Sequence, residues 1–571
     1  MKKHKLLLII ISIFVLLLLP SGKNHDPQPK PISAKNGMVV CSERNASEVG
    51  LKILQKGGNA MDAAIAMSFA LAVTHPGAGN LGGGGFIVYY SKDGKITSID
   101  FREKAPLHAS AAMFLDKEGN ILNNANHHGL LSVGVPGTVA GLEMAHKKYG
   151  KMDWKDLLEP AIHLAEDGFY LSEGQAHNFK SVRDRFLEYP SSATVFMKKD
   201  RSSYAAGELW RQPDLAETLK RIEKYGKEDF YNGETARLLC DFMQKNGGII
   251  TSEDLKKYKA VEREPLHCNY RGYDVYSMGP PSSGGAVITE MLNILEGYNL
   301  AGLAHDSVQY MHILSETMRL AYLDRARYLG DMDFNPDIPL KMLCSKEYAS
   351  KVRNLIQTDK ALHSELKDAE LVTEGAHTTH LSVIDSEGNA VSLTYTIEDW
   401  YGSKIIVEGA GFLLNNEMGD FNPVPGKTNE KGIIGTKPNL IAPEKRMLSS
   451  MCPVIVLKNK QPFLIIGTPG GRTIPNGVLQ VVLNVIDFKM NISDAISRKR
   501  IHHQWMPDVT FIEDGVLSAN SLKTYEKMGH KTDANNGIKN QEAMGILVDK
   551  KNNLIYGAAD PRSGDGMAMG Y

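Results

Sequence analysis

Cysteine is scarce in this chain of 571 residues: five, at positions 41, 240, 268, 344 and 452, with no Cys-x-x-Cys spacing. That spacing excludes a zinc ribbon and a thioredoxin-type redox pair. So sparse and odd a set reads as buried thiols, without a disulfide framework. An excess of charge is missing too. Lys+Arg 65 against Asp+Glu 66 leaves a net charge of −1, so no bulk field draws the chain to nucleic acid or to an anionic membrane. No apolar run is long enough to span a bilayer comfortably. The longest, Leu6 to Leu19, follows Lys2, Lys3 and Lys5 and is closed by Pro20. It reads as an export signal over residues 1–22, with an uncleaved anchor as the competing reading. There is no Ala-x-Ala cleavage site, and no cysteine follows to accept a lipid. A proline-rich linker over 23–34 (Pro27, Pro29, Pro31) leads into the body of the chain.

What is present is a strand-and-helix pattern of ordinary globular composition, 42% apolar and 23% charged. Behind a short strand, Ser47 is a candidate N-cap for a helix that Gly57 and Gly58 stop. Phe86–Tyr90 and Ile96–Ile99 flank the turn Lys92-Asp93-Gly94 as a hairpin. Residues from about 135 to 262 carry apolar side chains at helical spacing, and short strands dominate after 379. The order of elements implies a largely antiparallel sheet with helices over it. Residues 356–378, "IQTDKALHSELKDAELVTEGAHT", are polar and poorly periodic. They read as an exposed segment running straight into a core strand.

Three motifs invite wrong readings. Gly77 to Gly82 matches the dinucleotide fingerprint letter for letter, but a helix precedes it and a strand follows, the reverse of what that motif needs. Its glycines suit close backbone approach beside a pocket. "GTPGGRT" (467–473) lacks the lysine of a phosphate loop. His377 and His380, three apart on a strand, point to opposite faces and cannot easily share a metal.

That leaves the threonines in "AHTTHLSVIDSEGNAVSLTYT". A threonine hydroxyl needs a base. An N-terminal amine, with a pKa of about 7.7–8.0, can serve the hydroxyl of its own residue once the preceding peptide bond is cut. "SEG" (386–388) suits a three-residue turn with Gly388 left-handed, pairing Asp385 with Asn389. That register sets Thr378 opposite Thr396, whose hydroxyl is then placed to hold the oxygen of a nucleophile.

Many ordered segments together resemble the γ-glutamyltransferase (γ-glutamyl transpeptidase) family of the N-terminal nucleophile hydrolases. They are "GGNAMDAA" (57–64), "GNLGGGGF" (79–86), "DFREKAP" (100–106), "GVPGTVAG" (134–141) and "PPSSGG" (280–285). After them come the hairpin of 378–396, "GFLLNNEMGDF" (411–421), "LSSM" (448–451) and "GTPGGRT" (467–473). The resemblance implies an α+β fold, a four-layer αββα sandwich of two stacked, largely antiparallel sheets flanked by helices. It implies a precursor that cuts itself between His377 and Thr378 into chains 35–377 and 378–571, which stay together as a heterodimer. Carried onto this sequence, Thr378 is the nucleophile, and Gly470 and Gly471 offer N–H groups to the oxyanion. Arg102 with Ser449 and Ser450 holds the substrate's α-carboxylate, and Asp420 with Glu417 and Glu398 holds its α-ammonium. Two departures stand out. Glu398 replaces an asparagine common in the family, and Lys431 sits about where an aromatic often closes over the substrate.

The expected activity is transfer of the γ-glutamyl group of glutathione and related compounds, through an ester on Thr378, to water or to an amino acid or dipeptide. No metal or organic cofactor is implied, and no nucleic-acid partner. Beyond its leader the chain is expected to have no membrane contact and to be periplasmic or extracellular, an uncleaved leader being the one tether. The alternatives are a related amidase with another acyl group (a β-lactam acylase or a poly-γ-glutamate hydrolase) and an unprocessed, inactive binding protein.

Overall fold

The strand Thr378–Ile384 and its hairpin partner Ala390–Thr396 are buried along their whole lengths. A sheet with no wet face needs a layer on each side of it. The computed structural model, which describes residues 30–365, 377–428, 434–534, 538 and 541–571, supplies both layers. One seven-stranded sheet runs Met567–Gly570, Met38–Cys41, Thr378–Ile384, Ala390–Thr396, Gly84–Tyr90, Ile96–Asp100 and Val261–Arg263. The other runs Ile32–Ala34, Leu554–Ala559, Met544–Asp549, Gln461–Gly467, Val454–Lys458, Tyr273–Ser277 and Leu266–Tyr270. Every pairing within these two sheets is antiparallel.

Strand alternation sorts the side chains into layers. Met38, Val40 and Ile384 meet Ile455, Ile465 and Ile546 in a seam between the sheets. Val39, Cys41, Leu381 and Val383 face the other way, onto the helices Arg44–Gln55 and Ala60–Thr74. The second sheet is covered by Gly284–Leu295, Val308–Tyr328 and Ile474–Ile486. Ala60–Thr74 is buried at every residue, as a helix apolar all round must be. The result is the expected αββα sandwich. Each sheet contains strands from both before and after residue 378.

The expected hairpin register holds: Thr378 pairs with Thr396 and Ile384 with Ala390. Gly388 has φ +88°, and the turn is organised by one carboxylate. Asp385 accepts from the backbone N–H of Glu387 (2.9 Å) and Asn389 (3.0 Å), from Asn389 Nδ2 (2.7 Å) and from Ala60 N (2.8 Å), the first residue of the buried helix.

Two expectations are corrected. The first helix begins at Arg44 and is capped by Glu43, whose carboxylate accepts from Ala46 N. Ser47 lies inside that helix, and its hydroxyl donates to Met567 O on the edge strand of the sheet. The polar segment before Thr378 is not simply exposed. Residues 366–376 lie outside the described residues, but Ile356 and Ser364 are buried. Gln357 O meets His312 Nε2 at 2.6 Å, Leu362 N donates to Glu316, and Ser364 N donates to Asp508. His312, Glu316 and His530 converge there, with the two histidines hydrogen-bonded to each other at 2.8 Å. Sequence periodicity missed this anchorage because its partners are far apart in the chain. Leader and Lys431 also lie outside the described residues. Among the described residues no helix is long and apolar enough to cross a membrane.

Replacing Asp385 with alanine strands several buried donors at once. The Asp385→Ala variant is expected to lose about 3 kcal/mol of stability, read as a lowered urea midpoint; an unchanged midpoint would show that the turn does not depend on this carboxylate.

Candidate active site

Thr378 is the first residue of its strand, so the hairpin register decides what surrounds it. The Thr396 hydroxyl donates to the carbonyl oxygen of His377 at 2.7 Å and accepts from Glu398 N at 2.8 Å. Glu398 O in turn accepts from His377 N at 3.2 Å. In the single chain the Thr396 proton goes to the His377 carbonyl, on the other side of the Thr378 nitrogen, and its oxygen keeps a second lone pair beside the one that meets Glu398 N.

Two buried amides that sequence reasoning passed over lock this region. Asn80 donates to Thr396 O (2.9 Å) and accepts from Gly83 N (2.9 Å) and the Thr138 hydroxyl (2.7 Å). Gly83 must be glycine, since a Cβ there would lie 2.0 Å from Thr396 O. Asn415 donates to Gly82 O and Gly134 O and accepts from Gly134 N and Glu417 N, all within 3.0 Å. Both amides stand inside segments whose letters were noticed as a pattern; their partners, far away in sequence, were not legible.

A single pocket of about 280 Å³ gathers the named residues: Arg102, Thr378, Thr396, Glu398, Glu417, Asp420, Ser449, Ser450 and Gly471 all line it, with Met451 and Ile474. Gly470 stands one residue behind that lining. Both glycines have left-handed backbones, φ +129° and +57°, conformations that glycine tolerates best and that turn successive N–H groups to one side. They follow the end of the strand Gln461–Gly467 in the second sheet, so nucleophile and glycine loop come from different sheets.

The serines are set by a residue not anticipated from sequence. Arg325 donates to Ser450 Oγ at 2.9 Å and to Ser283 Oγ at 3.0 Å, while Ser283 donates to Ser449 O at 2.7 Å. "PPSSGG" thus braces "LSSM", and the Ser450 hydroxyl, having accepted from a guanidinium, keeps its proton to donate.

Charge is concentrated around Arg102. Arg102 is fully buried, 2.5 Å from Glu417 Oε2, paired with Asp420, and 3.5 Å from Glu103. The expected carboxylate clamp and ammonium holders are therefore paired with each other. Burial opposes the guanidinium's charge, but Glu417, Asp420 and Glu103 outweigh it and hold its pKa up. Burial pushes Glu103 up to about 8, against the pull of Arg102. It holds Glu417 well above the ordinary carboxylate range, with Glu103 and Asp420 adding repulsion. Beside them Glu398 Oε1 lies 3.2 Å from His127 Nδ1, a pairing nothing in the sequence pattern announced. His380 has no part in this site: buried between the sheets, it bonds Thr394 Oγ1 (2.8 Å) and Ser382 Oγ (3.1 Å). Burial drives its pKa down to about 3.

Known proteins resemble the chain over nearly its whole length. A family profile described as Gamma-glutamyltranspeptidase matches residues 46–570. The glutathione hydrolase proenzyme of Pseudomonas sp. (strain A14) is 45% identical over 557 residues, covering 96% of each chain. Among solved structures, the cephalosporin acylase from Bacillus halodurans superposes with a TM-score of 0.86 at 28% identity, covering 97% of this chain and 99% of its own. The Helicobacter pylori gamma-glutamyltranspeptidase is 48% identical, with a TM-score of 0.55, over 56% of this chain and 92% of its own.

The pairing of Arg102 has a measurable weight. Arg102→Gln leaves buried carboxylates without a counter-charge and is expected to cost about 3–5 kcal/mol in urea unfolding at pH 8. Arg102 lowers the pKa of Glu103 from where burial alone would put it, so its loss moves that pKa above the wild-type value of about 8. Below that pH Glu103 is protonated in both folded proteins, and above it wild type alone releases the proton, so the deficit should be smaller at about pH 7 than at about pH 9. An equal deficit at the two would refute this origin.

Proposed function

The chain belongs to the gamma-glutamyltranspeptidase family, and on that premise we propose how its residues carry out self-processing and γ-glutamyl transfer. It is a self-processing γ-glutamyltransferase and glutathione hydrolase. The observation that carries the residue assignments is the convergence of Thr378, Thr396, Arg102, the three acidic residues and both serines on one pocket.

In maturation, the Thr378 hydroxyl attacks the carbonyl carbon of His377. The Thr396 proton, 2.7 Å from that carbonyl oxygen, stabilises the negative charge that develops there. Collapse breaks the C–N bond and moves the acyl group from nitrogen to oxygen. Water then hydrolyses the ester, releasing the carboxylate of His377 and the free amine of Thr378.

In turnover that amine takes the hydroxyl proton. Thr378 Oγ attacks the γ-carbonyl of the donor, Gly470 and Gly471 meet the oxyanion with backbone N–H groups, and on collapse the C–N bond breaks and the donor's amine leaves with that proton. Water or the amine of an amino acid or dipeptide resolves the ester. Arg102, Ser449 and Ser450 hold the donor's α-carboxylate; Asp420, Glu417 and Glu398 hold its α-ammonium. A charged socket of this kind favours γ-glutamyl donors over the acyl groups of a β-lactam acylase, as does the greater identity to glutathione hydrolases than to the acylase. The basic, apolar leader read from the sequence supports export.

The denatured mass of the purified protein tests the scheme. Wild type is expected as two chains, the smaller starting at Thr378 and holding 194 residues (571 − 377), and Thr378→Ala as one intact chain. Thr396→Ala should slow self-cleavage by about 10²–10³-fold, the usual cost of one lost oxyanion donor. An intact wild-type chain would end this proposal. Faster hydrolysis of a glutaryl than of a γ-glutamyl anilide would remove the ammonium site.

A further inference from the structure

Glu398 stands at φ +80°, a left-handed conformation uncommon outside glycine. It is held there by its own backbone, whose N–H reaches Thr396 Oγ1 and whose carbonyl accepts from His377 N. The side chain is thereby committed to the pocket wall beside Arg102, Glu417 and Asp420. There Oε1 meets His127 Nδ1 at 3.2 Å.

His127 belongs to a different part of the chain and is fixed independently. Its N–H donates to Asn124 O, and its carbonyl accepts from Asn416 Nδ2 at 3.3 Å. Its ring packs on the turn Glu417–Asp420 so closely that a Cβ on Gly419 would lie 2.3 Å from Nδ1. The ring is nearly buried, and among the described residues its Nε2 has no hydrogen-bond partner. The charged group it touches is the Glu398 carboxylate.

We propose that His127 and Glu398 form a proton-gated counter-charge for the substrate's α-ammonium, with His127 as a positioning residue acting through Glu398. The inference rests on the γ-glutamyl reading of the pocket. When His127 is neutral, Glu398 offers its full charge to the ammonium. When His127 is protonated, the imidazolium satisfies that carboxylate and the ammonium must compete with it. The substrate class is thus acyl donors with a free, charged α-amino group, and the discrimination strengthens as the imidazolium loses its proton.

The charges facing the ring move this transition upward. Burial pulls the imidazolium's pKa down, but Glu398, through charge and hydrogen bond, more than offsets it. Asp420 and Asp399 push the same way, and the net displacement is above the ordinary value of 6.5. Glu417 and Arg102 stand behind Asp420 as a pair, and His128 is the remaining titratable neighbour on the same segment.

The test uses mature enzyme and two competitive inhibitors, L-glutamate and glutarate, which differ in the ammonium group. In wild type, Ki for L-glutamate is expected to fall about five- to tenfold between about pH 5.5 and 8.5 as the histidine deprotonates, beyond any change in Ki for glutarate. His127→Gln should abolish that differential slope and leave L-glutamate at its tight limit. Glu398→Gln, which keeps the shape and an acceptor for His127, should abolish it at the weak limit. A wild-type slope retained in either variant overturns the proposal, as does an equal slope for both inhibitors. Should His127→Gln fail to mature, Glu398→Gln and the two-inhibitor comparison in wild type still decide. Wild-type protein without γ-glutamyl hydrolysis would instead sink the reading of the pocket itself.

Discussion

The proton of the Thr396 hydroxyl has one place to go. Its oxygen already accepts from Glu398 N, and the carbonyl of His377 lies 2.7 Å away. That contact exists only because the hairpin register puts Thr396 opposite Thr378. The register in turn depends on a turn wound around Asp385, which also holds the start of the buried helix Ala60–Thr74. A slip of one residue would turn every side chain of a doubly buried strand to the wrong layer, so fold and chemistry are specified by the same pairing.

The second organising fact is that the charges lining the pocket satisfy one another. Arg102, with Glu417 and Asp420 against it, is a buried network whose members are costly to separate. A ligand bearing only a carboxylate would draw the guanidinium away and leave acids unpaired. A zwitterion brings one group for each side. Discrimination of this kind comes from the penalty on the wrong ligand as much as from contacts with the right one. Asn80, Asn415 and Arg325 hold the walls against which that exchange occurs.

What the sequence disclosed follows the range of the interactions involved. The Thr378–Thr396 pairing is local, set by a turn of three residues, and could be reckoned from spacing alone. Helices such as Pro213–Tyr225, within the stretch of helical spacing from about 135 to 262, announce themselves by apolar periodicity. The site as a set came from the family resemblance, because no spacing rule links Arg102 to Asp420 across 318 positions. His127 and Arg325 escaped because each acts by meeting a distant residue. Glu43 capped a helix where Ser47, the better capping type, was expected, since the strand ends at Cys41 and the helix starts within three residues of it. The anchorage of residues 357–364 was hidden for the same reason: polar letters looked exposed, although their partners are buried histidines and carboxylates.

Interleaving of strands in both sheets gives the proposed cut a consequence for assembly. Met38–Cys41 lies between Met567–Gly570 and Thr378–Ile384, so neither product of cleavage owns a complete sheet. The precursor folds as a unimolecular event whose rate and yield are independent of dilution. Once cut, the same architecture can be regained from the denatured state only by a bimolecular encounter, and its apparent stability acquires a dependence on protein concentration. Cleavage therefore converts a reversible fold into one that is kept chiefly by never coming apart.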